Sequence, residues 1–219
     1  MWLRRAIATT LLSFIMAGLF SAPPLRADGA LTVVVFGDSL SAGFGLPGKD
    51  AFPVKLETAL KTRGYQVTVE NAGVSGDTTA GGRARLAWAI GSNPGAVILE
   101  LGANDALRGL EPEKAYANLA AMLDELAQKK IPVLLAGMKA PPNMGEDYAR
   151  EFDAIYMRLD KVYDVILYPF FLAGVAGDPA LNQDDGIHPT ARGVDVIVEN
   201  ILPYVEQLLE RAAAASGRS

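Results

Sequence analysis

Two side chains of this sequence have the chemistry of a nucleophile and its base: Ser39 and His188. Ser39 follows an apolar, β-branched run, residues 31–36, in the string Gly-Asp-Ser-Leu at 37–40. A free serine hydroxyl is a poor nucleophile and needs a general base within hydrogen-bond reach. Imidazole is the usual base because it titrates near neutral pH. Because the chain contains one histidine, His188 is the only imidazole that could serve.

An acid that could orient His188 lies three residues before it. The string at 184–189 reads Asp-Asp-Gly-Ile-His-Pro, and a carboxylate at this spacing on a tight turn can fold back onto Nδ1 of the imidazole. That contact would fix the tautomer and leave Nε2 facing the serine, as a Ser-His-Asp triad requires. Asp185 has this spacing and is preferred over Asp184. The competing interpretation is a capping or surface histidine.

A reacting serine of this kind also needs hydrogen-bond donors for the oxyanion that develops on the substrate. Asn104 offers a side-chain amide, and Gly73 offers a backbone N–H that a substrate could approach because there is no side chain. Ser39 adds its own N–H if it begins a helical turn. Each donor has an alternative explanation: Gly73 could serve a turn with positive φ, and Asn104 could tie only its own loop.

The apolar patterning predicts an alternation of strands and helices that would bring these residues to one edge of a sheet. The predicted strands cover 31–36, 66–70, 96–101, 131–136 and 162–167, and the predicted helices cover 52–63, 77–90, 112–128, 146–159 and 189–211. Such an alternation favours an α/β fold, with a parallel sheet covered by helices on both faces. In these sheets, sites form at the carboxyl ends of strands. The polar strings at 37–41, 71–76 and 102–105 follow three such ends.

The N-terminus has the order of regions typical of a secretory signal peptide. Basic residues at 4–5 precede an apolar run at 6–20, and a small-residue region ends at Ala27. We predict cleavage after Ala27, a signal peptide at 1–27 and a single domain at 28–219. The alternative is an uncleaved membrane anchor, but the apolar run is shorter than the about 20 residues that a membrane span needs. We therefore expect a periplasmic protein with no stable membrane insertion after cleavage.

Composition excludes several other functions. There is no cysteine, which rules out disulfides and thiolate catalysis. Removing residues 1–27 removes three arginines and no acid, so the net charge of −5 becomes −8. An acidic chain is a poor partner for nucleic acid. No acidic cluster has the order of a calcium loop, and we expect no metal and no cofactor.

One glycine-rich segment imitates a phosphate-binding loop. Residues 43–49, Gly-Phe-Gly-Leu-Pro-Gly-Lys, match both Gly-x-Gly-x-x-Gly and Gly-x-x-x-x-Gly-Lys. The first glycine lies seven residues beyond the strand end, and Asp50 replaces the Ser or Thr that a magnesium-bound nucleotide needs. We therefore interpret 43–49 as a surface loop beside Ser39. A nearby serine, Ser75, is a weaker candidate nucleophile because it follows a strand less directly.

Taken together, four strings resemble the sequence blocks of the GDSL, or SGNH, hydrolases. They are Gly-Asp-Ser-Leu at 37–40, Asn-x-Gly ending at Gly73, Gly-x-Asn-Asp at 102–105 and Asp-x-x-His at 185–188. The strings at 102–109 and 184–189 are similar to the secreted bacterial branch of thioesterases that also act as lysophospholipases and arylesterases.

The resemblance implies a three-layer, flavodoxin-like α/β/α sandwich with a five-stranded parallel sheet of order 2-1-3-4-5. It also implies a role for each site residue: Ser39 as nucleophile, His188 as base, Asp185 as orienting acid, and Ser39 N–H, Gly73 N–H and the Asn104 amide as oxyanion donors. In this branch the segment after Asn104 tends to be a mobile substrate loop, which makes Leu107 and Leu110 candidates for acyl-chain contact. Further candidates for the apolar groove are Met144, Phe170, Phe171 and Leu172.

The sequence therefore predicts a monomeric serine hydrolase that cleaves carboxylic esters or thioesters of small molecules or lipids. Two alternatives stay open. The first is an acetylesterase that acts on acetylated carbohydrate, which needs only a small acyl pocket. The second is a non-catalytic or nucleotide-binding module on the same kind of sheet.

Overall fold

The computed structural model describes residues 30–217. The predicted signal peptide, residues 1–27, lies outside the described residues. The five strands form one parallel sheet with the order β2-β1-β3-β4-β5, which confirms the predicted order. The strands are β1 (Leu31–Gly37), β2 (Val67–Asn71), β3 (Ala96–Glu100), β4 (Val133–Ala136) and β5 (Ile166–Tyr168).

Helices cover both faces of the sheet. They are α1 (Ser39–Ala42), α2 (Phe52–Thr62), α3 (Thr79–Ala89), α4 (Ala103–Leu107), α5 (Pro112–Gln128), α6 (Glu146–Asp160) and α7 (Ala191–Ala215). Helix α2 packs against α7, and α5 packs between α3 and α6. Two short 3-10 helices, Gly48–Asp50 and Pro142–Met144, lie in loops.

The central strands explain why the site forms where it does. The side chains of Val33 through Phe36 are fully buried, as are all five residues of β3, because a parallel sheet covered on both faces leaves no side for water. The register pairs Gly37 with Glu100. The last residue of β3 therefore lies beside the turn that carries Ser39.

The structure corrects two of the predicted boundaries and adds one helix. The fifth strand begins at Ile166 and not at 162, because the N–H groups of Val162 and Tyr163 still bond to Leu159 at the end of α6. Helix α7 continues to Ala215, beyond the predicted end at 211, because Ala212 and Ala213 are buried in the core. The short helix α4 was not predicted at all.

Helix α4 begins after Gly102, whose φ of 125° is the reason for a glycine at this position. Within residues 30–217, no helix has both the length and the apolar character needed to cross a membrane.

Candidate active site

Ser39 is the first residue of α1, directly beyond the end of β1. Asp38 caps this helix, because its Oδ1 atom accepts the N–H of Leu40 at 3.0 Å. Gly43 ends the helix in a left-handed conformation with φ of 83°. The turn between strand and helix therefore fixes the position of Ser39, with only 9% of the residue exposed.

The structure brings His188 and Asp185 to Ser39. His188 Nε2 lies 2.9 Å from Ser39 Oγ, and His188 Nδ1 lies 2.6 Å from Asp185 Oδ2. With the proton on Nδ1, the imidazole donates to Asp185 and its Nε2 accepts the hydroxyl of Ser39. This is the hydrogen-bond chain that the spacing of residues 185–188 predicted, with Nε2 free to take a proton from Ser39.

The local loop holds Asp185 in place. Its Oδ1 atom accepts the N–H of Ile187 at 2.9 Å and the N–H of His188 at 3.0 Å. These hydrogen bonds, first of all that from the His188 N–H, lower the pKa of Asp185 to about 2. Asp185 is therefore ionised at neutral pH, and its second oxygen accepts the hydrogen bond from His188 Nδ1.

Backbone pairing closes the base of the loop that carries Asp185 and His188. Asn182 and Pro189 form an antiparallel bridge, and the Gln183 N–H donates to the carbonyl of His188 at 2.7 Å. The Gln183 amide also donates to the carbonyl of Phe44 at 2.8 Å. The ring of Phe44 lies 4.5 Å from that of His188, centroid to centroid. Residues 43–49 thus form a loop beside the site, in contact with the histidine.

Asn104 and Gly73 both lie next to the Ser39 turn. The Asn104 amide donates to Asp38 Oδ2 at 3.1 Å, and its second N–H is left for another acceptor. The Gly73 N–H donates to Asn71 Oδ1 at 2.9 Å. Gly73 does not have the positive φ of the alternative explanation. A Cβ there would lie 2.5 Å from the Ala42 nitrogen and 2.8 Å from the Asp38 oxygen, so glycine is needed for close approach.

A pair of buried carboxyl groups behind Ser39 was missed at the level of sequence. Glu100 and Asp38 are both fully buried, and Glu100 Oε2 accepts the hydroxyl of Ser41 at 2.6 Å and the Asp38 N–H at 3.3 Å. Among the described residues, Glu100 Oε1 has no hydrogen-bond partner. The sequence feature that could have indicated this pair is Glu100 itself, a charged residue at the end of an otherwise apolar strand.

Burial raises the pKa values of both acids. Desolvation, and secondarily the charge of Asp38, raise the pKa of Glu100 well above its ordinary value. Desolvation also raises the pKa of Asp38 to about 6, although the N–H groups of Leu40 and Asn104 favour its charged form. Burial therefore favours the protonated form of Glu100, whereas Asp38 is ionised above its pKa of about 6 and accepts the hydrogen bond from Asn104.

A cavity of about 720 Å³ opens from Ser39 and His188. Its walls are mostly apolar and include Leu107, Met138, Phe170, Leu172 and Ile187. Of the predicted acyl-chain contacts, Leu107 lines the cavity, whereas Leu110 and Met144 are not part of its lining.

Two other residues singled out from the sequence, Phe171 and Ser75, differ in their relation to the cavity. Phe171 is fully buried in the core and packs edge-on against Phe52 at 5.0 Å between ring centroids. Ser75, the rival serine, also lines the cavity, but the His188 Nε2 contact is made with Ser39.

Among residues 30–217, no cluster of three or more His, Asp or Glu side chains is arranged to hold a metal ion.

Comparison with known proteins places this chain in a family. A family model described as GDSL-like Lipase/Acylhydrolase matches residues 35–196. The chain belongs to this family, as its four sequence strings predicted.

Individual relatives match over most of the chain. Esterase TesA from Pseudomonas aeruginosa is 40% identical over 181 residues, which cover 82% of this chain and 90% of the relative. Thioesterase 1/protease 1/lysophospholipase L1 from Escherichia coli is 39% identical over 185 residues, covering 84% of this chain and 88% of that protein. The crystal structure of AlinE4, described as an SGNH-hydrolase family esterase, is 49% identical with a TM-score of 0.71, and the match covers 84% of this chain and 99% of that one.

Proposed function

We propose that this protein is a serine hydrolase that cleaves carboxylic esters and thioesters through an acyl-enzyme. The observation that supports it most directly is the hydrogen-bond chain from Asp185 through His188 to Ser39, with distances of 2.6 and 2.9 Å. Family membership and relatives named as esterases and a thioesterase support the same activity. Ser39 is the nucleophile, His188 the general base and Asp185 the orienting acid.

The reaction proceeds in two halves. In the first, Ser39 Oγ forms a bond to the substrate carbonyl carbon while His188 Nε2 takes the hydroxyl proton. The tetrahedral intermediate then expels the alcohol or thiol, which receives that proton from His188, and leaves an acyl group on Ser39. In the second, water gives a proton to His188 and attacks the acyl carbon, and Ser39 recovers its proton when the acid leaves.

We assign stabilisation of the oxyanion to three donors: the N–H groups of Ser39 and Gly73 and the side-chain amide of Asn104. Preorganised donors of this kind supply a large part of the rate enhancement in acyl transfer. Asn104 has one N–H engaged with Asp38 and a second one available. The Gly73 N–H must share or exchange its contact with Asn71 Oδ1 when the oxyanion forms.

The apolar cavity favours substrates with an acyl chain over acetyl esters. Walls formed by residues such as Leu107, Phe170 and Leu172 would bury methylene groups, each worth about 0.8 kcal/mol. The alternative, an acetylesterase that acts on carbohydrate, needs no such volume. Comparing kcat/KM for C2 and C12 nitrophenyl esters separates the two: we expect a preference for C12, and a strong preference for C2 would favour the alternative.

The proposed location restricts the natural leaving group. With residues 1–27 as a signal peptide and 28–219 as one periplasmic, monomeric domain, the enzyme meets little acyl-CoA. Lysophospholipids and other lipid or small-molecule esters then become the natural substrates, and thioester cleavage is a secondary capability. An intact N-terminus on protein recovered from the cytosolic fraction would contradict this part of the proposal.

The nucleophile is tested by Ser39→Ala. We expect ester hydrolysis to fall by about four to six orders of magnitude and labelling by a fluorophosphonate, which requires an activated serine, to disappear. Ser75→Ala is the matched comparison, because Ser75 lines the same cavity and its variant should still be labelled. Hydrolysis should also resist EDTA. Activity that survives in Ser39→Ala would refute the mechanism.

A further inference from the structure

Arg85 connects the two backbone segments that surround Ser39. It lies on α3, and its guanidinium donates from Nη1 to the carbonyl of Ala72 at 2.7 Å and from Nη2 to the carbonyl of Gly37 at 2.8 Å. Its Nε donates to Asp77 Oδ2 at 2.6 Å. The guanidinium also lies 4.0 Å above the ring of Phe36. The side chain is 19% exposed, so these partners take the place of water.

The contact with Ala72 acts on the neighbouring residue, Gly73. A trans peptide unit is planar, so the carbonyl of Ala72 and the N–H of Gly73 share one plane and point in opposite directions. A cation that fixes and polarises that carbonyl therefore sets the direction of the N–H and strengthens it as a donor. That N–H belongs to the proposed oxyanion hole.

The contact with Gly37 acts on the Ser39 side of the hole. The carbonyl of Gly37 accepts both Arg85 Nη2 and the N–H of Val74, which ties the turn after β2 to the end of β1. The peptide unit of Gly37 carries the Asp38 N–H, which bonds to Glu100. The same guanidinium therefore holds two peptide units, that of Ala72–Gly73 and that of Gly37–Asp38, and the latter directly precedes the peptide unit that carries the Ser39 N–H.

We propose that Arg85 is a positioning residue that aligns the Gly73 N–H with Ser39 for stabilisation of the oxyanion. This inference rests on the proposed function, because Gly73 has a donor role only if an oxyanion forms beside Ser39. Arg85 is not part of the cavity lining and acts through the peptide unit of Gly73.

The geometry requires arginine in particular. A guanidinium presents its donors in one rigid plane, whereas a lysine ammonium is a point charge on a flexible stem. Arg85 uses three different nitrogens for Asp77, Ala72 and Gly37. A lysine at this position could keep the ion pair with Asp77 but could not hold both carbonyls in fixed directions.

Arg83 provides a matched control on the same helix. It is exposed, and its Nη1 approaches Asn118 Oδ1 at 3.4 Å. We expect Arg85→Met to lower kcat for a C12 nitrophenyl ester by about tenfold to a hundredfold, below the full loss of one oxyanion donor, with KM nearly unchanged. Arg85→Lys should lose less, and Arg83→Met should retain wild-type kcat.

Inhibitor binding separates positioning from general structural support. An alkyl boronic acid forms a tetrahedral adduct with the serine oxygen and mimics the intermediate, whereas laurate occupies only the acyl site. In Arg85→Met we expect the affinity for the boronate to fall by the same factor as kcat, with the affinity for laurate unchanged. If Arg85→Met does not fold, Arg85→Lys, which keeps a cation beside Asp77, is measured in the same way.

Two results would overturn the inference: wild-type kcat in both Arg85 variants, or an equal loss of boronate and laurate affinity, which would indicate a site disturbed as a whole. Failure of the proposed function itself would look different. It would leave wild-type Ser39 unlabelled by the fluorophosphonate, or Ser39→Ala active, whatever the Arg85 variants did.

Discussion

The nucleophile and its base are held in two different ways. Ser39 lies on a buried turn whose supporting hydrogen bonds come from distant parts of the chain: Glu100 is 62 residues from its donor Asp38, and Asn104 is 66 residues from Asp38. Asp185 and His188 lie on a loop held largely by bonds between neighbours two and three residues apart. Asp185 retains 38% exposure of its side chain.

The electrostatics of the two regions are opposite as well. Around Ser39, desolvation raises the pKa values of Asp38 and Glu100. On the loop, hydrogen bonds lower the pKa of Asp185. Substitutions in the buried region that change volume or charge should therefore lower stability. Substitutions in the exposed loop should affect stability less and act mainly on kcat.

After the loss of Ser39 itself, the largest effect on catalysis should come from the exposed loop. Asp185→Asn keeps the size of the side chain but removes the charge and reverses the hydrogen bond that sets the tautomer of His188, so we expect kcat to fall about ten-thousandfold. The thermal unfolding midpoint should fall only modestly at neutral pH, because the side chain is partly exposed. Asp184→Asn is the control, since this neighbouring acid does not contact the His188 imidazole, and it should retain activity in the same ester assay.

Two glycine substitutions compare the regions in stability. A Cβ on Gly37 would lie 2.3 Å from Ser41 Oγ and 2.4 Å from Glu100 Oε2. We expect Gly37→Ala to cost about 3 kcal/mol, the upper end of overpacking effects, which lowers the unfolding midpoint by about 6–12 °C.

Gly186 has φ of 69° and open space around its Cβ position. Gly186→Ala should cost only the backbone strain of about 1 kcal/mol. Calorimetry on both variants checks the difference. Equal losses of stability would show that the loop is as tightly constrained as the buried turn.

The smallest effect concerns the pH dependence of stability. The folded-state pKa of Glu100 is raised above its ordinary value of 4.5, so the stability that Glu100 contributes is fully present below pH 4.5 and is lost as the pH rises toward the folded-state pKa. Glu100→Gln removes this loss. The unfolding midpoint of the variant should therefore gain on wild type between pH 4.5 and pH 8, by about 2–4 °C for each kcal/mol of ionisation cost.

Asp185→Asn should show the reverse trend. Its depressed pKa of about 2 contributes stability above the ordinary value of 3.8 that is lost as pH falls through about 2. The wild-type advantage over this variant should therefore shrink at acid pH. If the difference in unfolding midpoint between wild type and variant is independent of pH for both Glu100→Gln and Asp185→Asn, the electrostatic contrast between the two regions is wrong.

Much of the site could be predicted because its signals are local. The i, i+3 spacing of Asp185 and His188 describes a turn that the intervening Gly186 and the backbone N–H groups can form without outside help. Strands β1 and β3 were predictable because both are continuous apolar runs. The short helix α4 escaped prediction because it spans only Ala103–Leu107, too few residues to show a helical period.

Other features could not be predicted because they depend on which strands and loops become neighbours. Leu110 and Met144 were predicted to contact the acyl chain but lie outside the cavity lining. The side chain of Leu110 is exposed, and the end of the Met144 side chain lies beside Gly109. Arg85 sits in an ordinary helical pattern, and nothing in that pattern indicates that its partners are the carbonyls of Ala72 and Gly37.

By itself, the sequence determined that His188 is the only imidazole available and that Asp185 has the spacing to orient it. It also determined that Ser39 follows a buried strand. Only the tertiary structure decided that Ser39 and His188, 149 residues apart, meet at 2.9 Å, and that Glu100 lies beside the Ser39 turn. The physical reason is that a tight turn is specified by the residues within it, whereas the pairing of Gly37 with Glu100 depends on the register of two strands.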